Sequence, residues 1–203
     1  MNLLIHPNYL PAISQLKLII DSKKLIFEIN DNFQKQTHRN RTYIYGANGL
    51  LLLSIPVIHS QKNRKKFKDV KIAYDYDWLT QHLKSFQISY RSSPFFEYYE
   101  DKLVDLYVRR EKYLYDFNLR SIDVLFDMLQ INLEYDFTKG YSEQYSDILD
   151  YRNNYKKLNS SFKIKEYTQV FESKHGYIEN LSALDLIFNE GPNAINFLKT
   201  SYK

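Results

Sequence analysis

Two histidines and a small set of polar side chains carry the chemistry this sequence can offer. His6 stands in His6-Pro7-Asn8-Tyr9-Leu10-Pro11, directly after the apolar residues Leu3, Leu4 and Ile5. His82 stands four residues after Trp78 and four before Phe86, on the apolar side of a helical pattern. An imidazole titrates near neutral pH, so either could take the proton that an amine or hydroxyl loses when it is acylated. His82 could equally be a core histidine, and His6 could serve only its own turn. Lys35 and Arg41 fall on a polar stretch between strands, where an ammonium and a fork-shaped guanidinium could hold carboxylate or phosphate, or be plain surface charge.

Other chemistries are excluded. The chain has no cysteine, which removes thiolate nucleophiles, disulfides, iron–sulfur clusters and cysteine-based zinc sites. No Gly-x-Gly-x-x-Gly, Walker loop, His-Glu-x-x-His or Gly-x-Ser-x-Gly motif occurs. The histidines at 6, 38, 59, 82 and 175 lack paired metal-ligand spacing, so neither a metal nor a cofactor is expected. A net charge of +4 spread along 203 residues does not suggest nucleic acid as the main partner. The longest apolar run, Leu50 to Ile58, is far short of the ~20 residues a membrane span needs, and Met1-Asn2 leads straight into a strand without a basic leader. A cytoplasmic, soluble protein is expected. The 19 tyrosines accompany abundant Asn, Ile, Lys and Phe, so genome base composition could account for them ahead of a dedicated aromatic surface.

These side chains must be placed by a framework the pattern outlines. Pro7 cannot donate to a strand ladder, which ends the first strand at His6, and Pro11 suits the first turn of a helix through Ile13, Leu16, Ile19 and Ile20. His6 therefore falls at a strand-to-helix corner, where open α/β sheets meet ligands. A second strand is expected at 24–29, a loop at 30–41, and a hairpin of 42–45 with 50–57 whose Asn48-Gly49 supplies positive φ angles. The basic run 61–68 could hold a phosphate or be a solvated loop, and a short strand is expected at 69–73. Asp77 can cap a helix carrying Trp78, His82, Phe86 and Tyr90; helices are expected from Pro94 through Tyr107 and over 116–130. A strand at 133–137, a helix at 142–157, a strand at 168–172, a turn at His175-Gly176, a helix at 181–189 and a last helical turn at 195–199 complete the pattern. Ser182 and Asp185 have capping-box spacing, with Asp185 able to reach the Ser182 amide. The expected fold is α/β, a mixed sheet with packed helices, helix-rich in its second half, and one domain over 1–203.

Several blocks in order resemble the WbqC-like protein family: His6 to Pro11, then Phe33-x-Lys35 with Asn40-Arg41 and Ile55-Pro56-Val57, then Trp78-x-x-x-His82, and Asn180-Leu181-Ser182-x-Leu184-Asp185 through Gly191-Pro192. The chain departs from the family pattern in reading His6-Pro7 where His-Gln-Pro is usual, and in a shortened segment near 142–161. The resemblance implies bacterial surface-polysaccharide (O-antigen type) biosynthesis and transfer of a glycyl or other small acyl group to a sugar, or a noncatalytic nucleotide-sugar-binding or scaffold module of that pathway. His6 or His82 would be base, Lys35 and Arg41 anion holders, and Asn8, Tyr9, Asn40 and Asn180 further substrate contacts. The implied partners are a sugar nucleotide or lipid-linked sugar and an activated small acyl donor, since neither a thiol nor a nucleotide-triphosphate loop is there to activate one.

Overall fold

The computed structural model describes residues 1–58, 65–152 and 165–200. A four-stranded parallel sheet is built from β1 (Asn2–Ile5), β2 (Lys24–Phe27), β5 (Tyr135–Phe137) and β6 (Leu149–Asp150), in the order β5-β2-β1-β6. The antiparallel hairpin of β3 (Arg41–Gly46) and β4 (Gly49–Ser54) forms a separate pair. Both strand orientations expected of a mixed α/β fold are present, segregated into two sheets.

The helices are α1 (Ile13–Asp21), α2 (Trp78–Tyr90), α3 (Phe96–Val108), α4 (Leu114–Met128), the single turn α5 (Glu172–His175), α6 (Ala183–Glu190) and α7 (Ala194–Thr200). Their buried stripes follow the sequence pattern. Trp78, His82, Phe86 and Tyr90 face inward on α2, and Phe117, Ile122, Leu125 and Phe126 do so on α4. All of these except His82 join Leu3, Ile5, Leu25 and Phe27 of the sheet in one continuous apolar core. Among the described residues no helix is long and apolar enough to cross a membrane.

Several local expectations are corrected. In the hairpin, positive φ falls on Gly49 (φ 98°) and not on Asn48. Residues 69–73 make isolated bridges, Ile72 to Val57 and Lys71 to Tyr113, after a 3-10 turn at Phe67–Asp69. The helix expected at 142–157 is absent over 142–152, where an open loop leads into β6; residues 153–157 lie outside the described residues. No strand forms at 168–172, because the Gln169 side chain makes the bonds a neighbouring strand would. Its Nε2 donates to Ile178 O (2.9 Å) and its Oε1 accepts from Ile178 N–H (2.9 Å).

The topology selects one place for a site. From β1 the chain moves through β2 to β5 on one side, then returns to place β6 on the other side of β1. Parallel sheets leave a crevice at the carboxyl ends of strands where the connections diverge in this way. The corresponding point of this sheet lies between the ends of β1 and β6, where His6, Glu28 and Arg152 are buried.

Candidate functional site

The corner after β1 is fixed from several elements. Tyr9 N–H donates to His38 O (3.0 Å), and Leu10 N–H to Ser121 Oγ (3.2 Å). Thr42 Oγ1 (2.9 Å) and Ser182 Oγ (3.2 Å) both donate to Leu10 O, holding Leu10 at φ 40°, a conformation few non-glycine residues adopt. Asn118 Nδ2 donates to Pro7 O (2.9 Å) and Arg39 O (2.7 Å), joining the corner to the loop before β3. The backbone that carries His6 is thus held in place before any ligand arrives.

His6 is buried and has its Nε2 3.1 Å from Asp31 Oδ2. Arg39 NH2 also donates to Asp31 Oδ2 (3.3 Å), and its NH1 to Asn32 O (2.8 Å). Burial pushes the Asp31 carboxyl up, but the His6 hydrogen bond and the Arg39 guanidinium outweigh it and hold Asp31 below the ordinary carboxylate value. Asp31 is therefore an acceptor at neutral pH, which assigns the His6 proton to Nε2. Burial, against the opposing pull of Asp31, lowers His6 to about 4, so the imidazole is neutral.

Beside this pair, at the end of β2, lies Glu28. Its Oε1 accepts from Asn30 N–H (2.7 Å) and Thr138 Oγ1 (2.8 Å), and Arg152 NH1 approaches Oε2 at 3.4 Å. Because Ile5 and Phe27 are register partners, the residues that follow them, His6 and Glu28, leave adjacent strand ends. Arg152 sits just past β6 with every donor nitrogen engaged. Its Nε bonds Asp150 (3.0 Å), its NH1 also donates to Ser142 O (2.8 Å), and its NH2 donates to Glu143 O (3.2 Å) and Asp150 (2.6 Å). The rings of Tyr141 and Tyr145 lie against the guanidinium at 5.4 and 5.1 Å. A side chain so saturated holds the 138–148 loop over the strand ends and has little left for a ligand. Glu28, Asp31, Arg39, Asp150 and Arg152 were not singled out in the sequence. The signal they offered was faint: only Glu28 directly follows a short apolar strand, while Asp31 and Arg39 lie in the polar loop before β3 and Asp150 and Arg152 within and just past the two-residue β6.

The sequence-predicted residues distribute as follows. Tyr9 and His82 come together, with Tyr9 Oη 2.8 Å from His82 Nδ1 and also bonded to the Tyr107 hydroxyl. Trp78 and Phe117 surround the group. Burial lowers His82 to about 4 against an opposing hydrogen bond to the Ser54 backbone. Asn8 is buried two residues beyond His6, with neither amide atom bonded. Asn40 Nδ2 donates to Ile55 O (3.2 Å), Arg41 begins β3 half-buried, and Lys35 is exposed on the preceding loop. Asn180 accepts from Ser14 N–H (2.9 Å) at the first turn of α1. Among the described residues no cluster of His, Asp or Glu could hold a metal ion.

The two depressed histidines make stability fall with acid. Each binds its proton more weakly folded than unfolded, so the unfolded chain takes up more protons once the pH drops below about 6.5. Stability present above that value is lost as the pH falls towards about 4, by roughly 3 kcal/mol for each histidine. Urea midpoints at pH 7 and pH 4.5 check this. His82→Gln should flatten the dependence, and a midpoint unchanged between the two pH values in the unaltered chain would contradict it.

Comparison with known proteins places this geometry in a family. No curated protein and no solved structure matches the chain. The family model of the WbqC-like proteins matches residues 6–151, beginning on His6 and ending one residue past Asp150. That span contains the corner, the Asp31–Arg39 loop, Glu28 and α2, whereas the block from Asn180 to Pro192 lies beyond it. The match covers well over half of the sequence, and the chain belongs to the WbqC-like protein family.

Proposed function

We propose that this protein acts in the bacterial cytoplasm in surface-polysaccharide (O-antigen type) biosynthesis, transferring a glycyl or other small acyl group from an activated donor to an amino sugar on a nucleotide or lipid carrier. The observation that carries the reading is the His6–Asp31 pair at the carboxyl end of β1, beside the strand-order reversal. With Asp31 on its Nε2, the imidazole is in the neutral form that a general base requires. The acceptor amine attacks the acyl carbon, a C–N bond forms, and the bond from that carbon to the donor's leaving group breaks. The amine proton passes to His6, whose imidazolium Asp31 stabilises, and then to the departing group. His82, whose ring is held by Tyr9 Oη and the Ser54 backbone within an aromatic group, is the other candidate base.

A noncatalytic nucleotide-sugar-binding module is the second reading, favoured by the burial of His6 and its pKa of about 4, which makes a weak base. The two part in one experiment. The protein is incubated with a nucleotide-linked amino sugar and activated glycyl and acetyl donors, and the sugar is weighed by mass spectrometry. A product heavier by the acyl group, lost in a folded His6→Ala variant, supports transfer. Binding of the sugar nucleotide with no mass change for any donor overturns it in favour of the module.

A further inference from the structure

Residues 65–68 of the basic stretch are fastened directly to the loop that carries Asp31; residues 61–64 lie outside the described residues. Phe67 N–H donates to Asp31 O (2.8 Å), Lys68 N–H to Ile29 O (2.9 Å), and Phe33 N–H to Lys65 O (2.9 Å), while Lys66 bridges Asn32. Between the lysines, the buried Phe67 ring packs against His6 (6.1 Å between centroids) and under the Arg39 guanidinium (5.6 Å). Lys65, Lys66 and Lys68 are therefore brought to the flank of the His6–Asp31 pair by backbone bonds and one aromatic contact. Lys66 is exposed, and Lys65 and Lys68 are half-buried. Among the described residues none of the three forms an ion pair with a carboxylate, whereas Lys17, Lys24 and Lys102 each do. Clustered cations next to a reaction centre raise the local concentration of anionic ligands and hold phosphate oxygens by charge-assisted hydrogen bonds.

We infer that Lys65, Lys66 and Lys68 receive the diphosphate of the sugar carrier and so set the sugar beside His6. The inference rests on the carrier-linked substrate named above. Both a nucleoside diphosphate and a lipid diphosphate supply this group.

The test is calorimetric titration of the full chain with inorganic pyrophosphate, uridine diphosphate and farnesyl diphosphate, across a range of salt concentrations. One variant removes the three charges (K65Q/K66Q/K68Q), and a control removes the same charge elsewhere (K23Q/K84Q/R91Q). The expected result is pyrophosphate binding weakened about tenfold or more and made less salt-dependent in the first variant, with the control within about twofold of the parent. Uridine diphosphate binding much tighter than farnesyl diphosphate identifies a nucleotide carrier, and the reverse a lipid carrier. Equal weakening in both variants, or no pyrophosphate binding by the parent, overturns the inference. Its failure is separable from that of the transfer reading: acyl transfer with an unchanged KM in the lysine variant refutes only the diphosphate site, and lysine-dependent pyrophosphate binding with no transfer refutes only the chemistry.

Discussion

Asp185→Ala is expected to destabilise the protein by about 3–6 kcal/mol. The carboxylate is buried, and it accepts from Tyr90 Oη (2.9 Å), Tyr167 Oη (2.5 Å) and Gln169 Nε2 (2.9 Å). Truncation leaves the buried Tyr90 and Tyr167 hydroxyls without their acceptor, each costing about 1–3 kcal/mol, and opens a cavity beside Gln169, whose Nε2 keeps its bond to Ile178 O. For a chain of this size that is a melting point lower by about 10 °C or more. Asp185→Asn keeps one acceptor oxygen and should lose less. Thermal melts followed by circular dichroism, with pyrophosphate titration of the folded variants, check both the loss and its structural origin. An unchanged melting point with ligand binding abolished would instead place Asp185 in the binding site.

The same residue shows why part of the structure was legible and part was not. Ser182 and Asp185 have capping-box spacing, and half of that reading holds: Ser182 Oγ accepts from Leu184 N–H (3.4 Å). The Ser182 amide, however, donates to Tyr43 O (2.8 Å), so nothing there awaits Asp185. Its carboxylate turns to Tyr90 and Tyr167, partners that no local spacing announces. The strand-to-helix corner, the hairpin and the stripes of α2 and α4 were readable because proline, glycine and apolar period act within a few residues. The 165–178 segment was not, since a glutamine side chain replaces a strand ladder. At the site, Pro7 marked His6, but Asp31 sits 25 residues on, in a loop without period, and only the β1–β2 pairing brings them together. Asp150 and Arg152 became neighbours of Glu28 only through the return of β6 to the far side of β1.

Under the transfer reading, Asp31→Asn is expected to lower kcat by about 10²–10⁴-fold with the fold retained, the range associated with losing an oriented general base. Two effects combine. An amide can present its NH2 to His6 Nε2 and reverse the tautomer, and it cannot stabilise the imidazolium that forms when the amine proton arrives. The sign of the accompanying pKa change follows from the causes acting on His6. Burial and the arginines lower it while Asp31 raises it, so removing the carboxylate takes His6 further below about 4. A titration of the His6 ring by NMR therefore moves to lower pH in the variant, a response that simple loosening of the loop would not give, since added solvent access would move it upward towards the ordinary histidine value. Unaltered kcat in a folded variant would remove the His6–Asp31 pair from the reaction. A reduced kcat with His6 titrating nearer its ordinary value would leave Asp31 as a structural anchor of the corner and would shift the search for the base to another group.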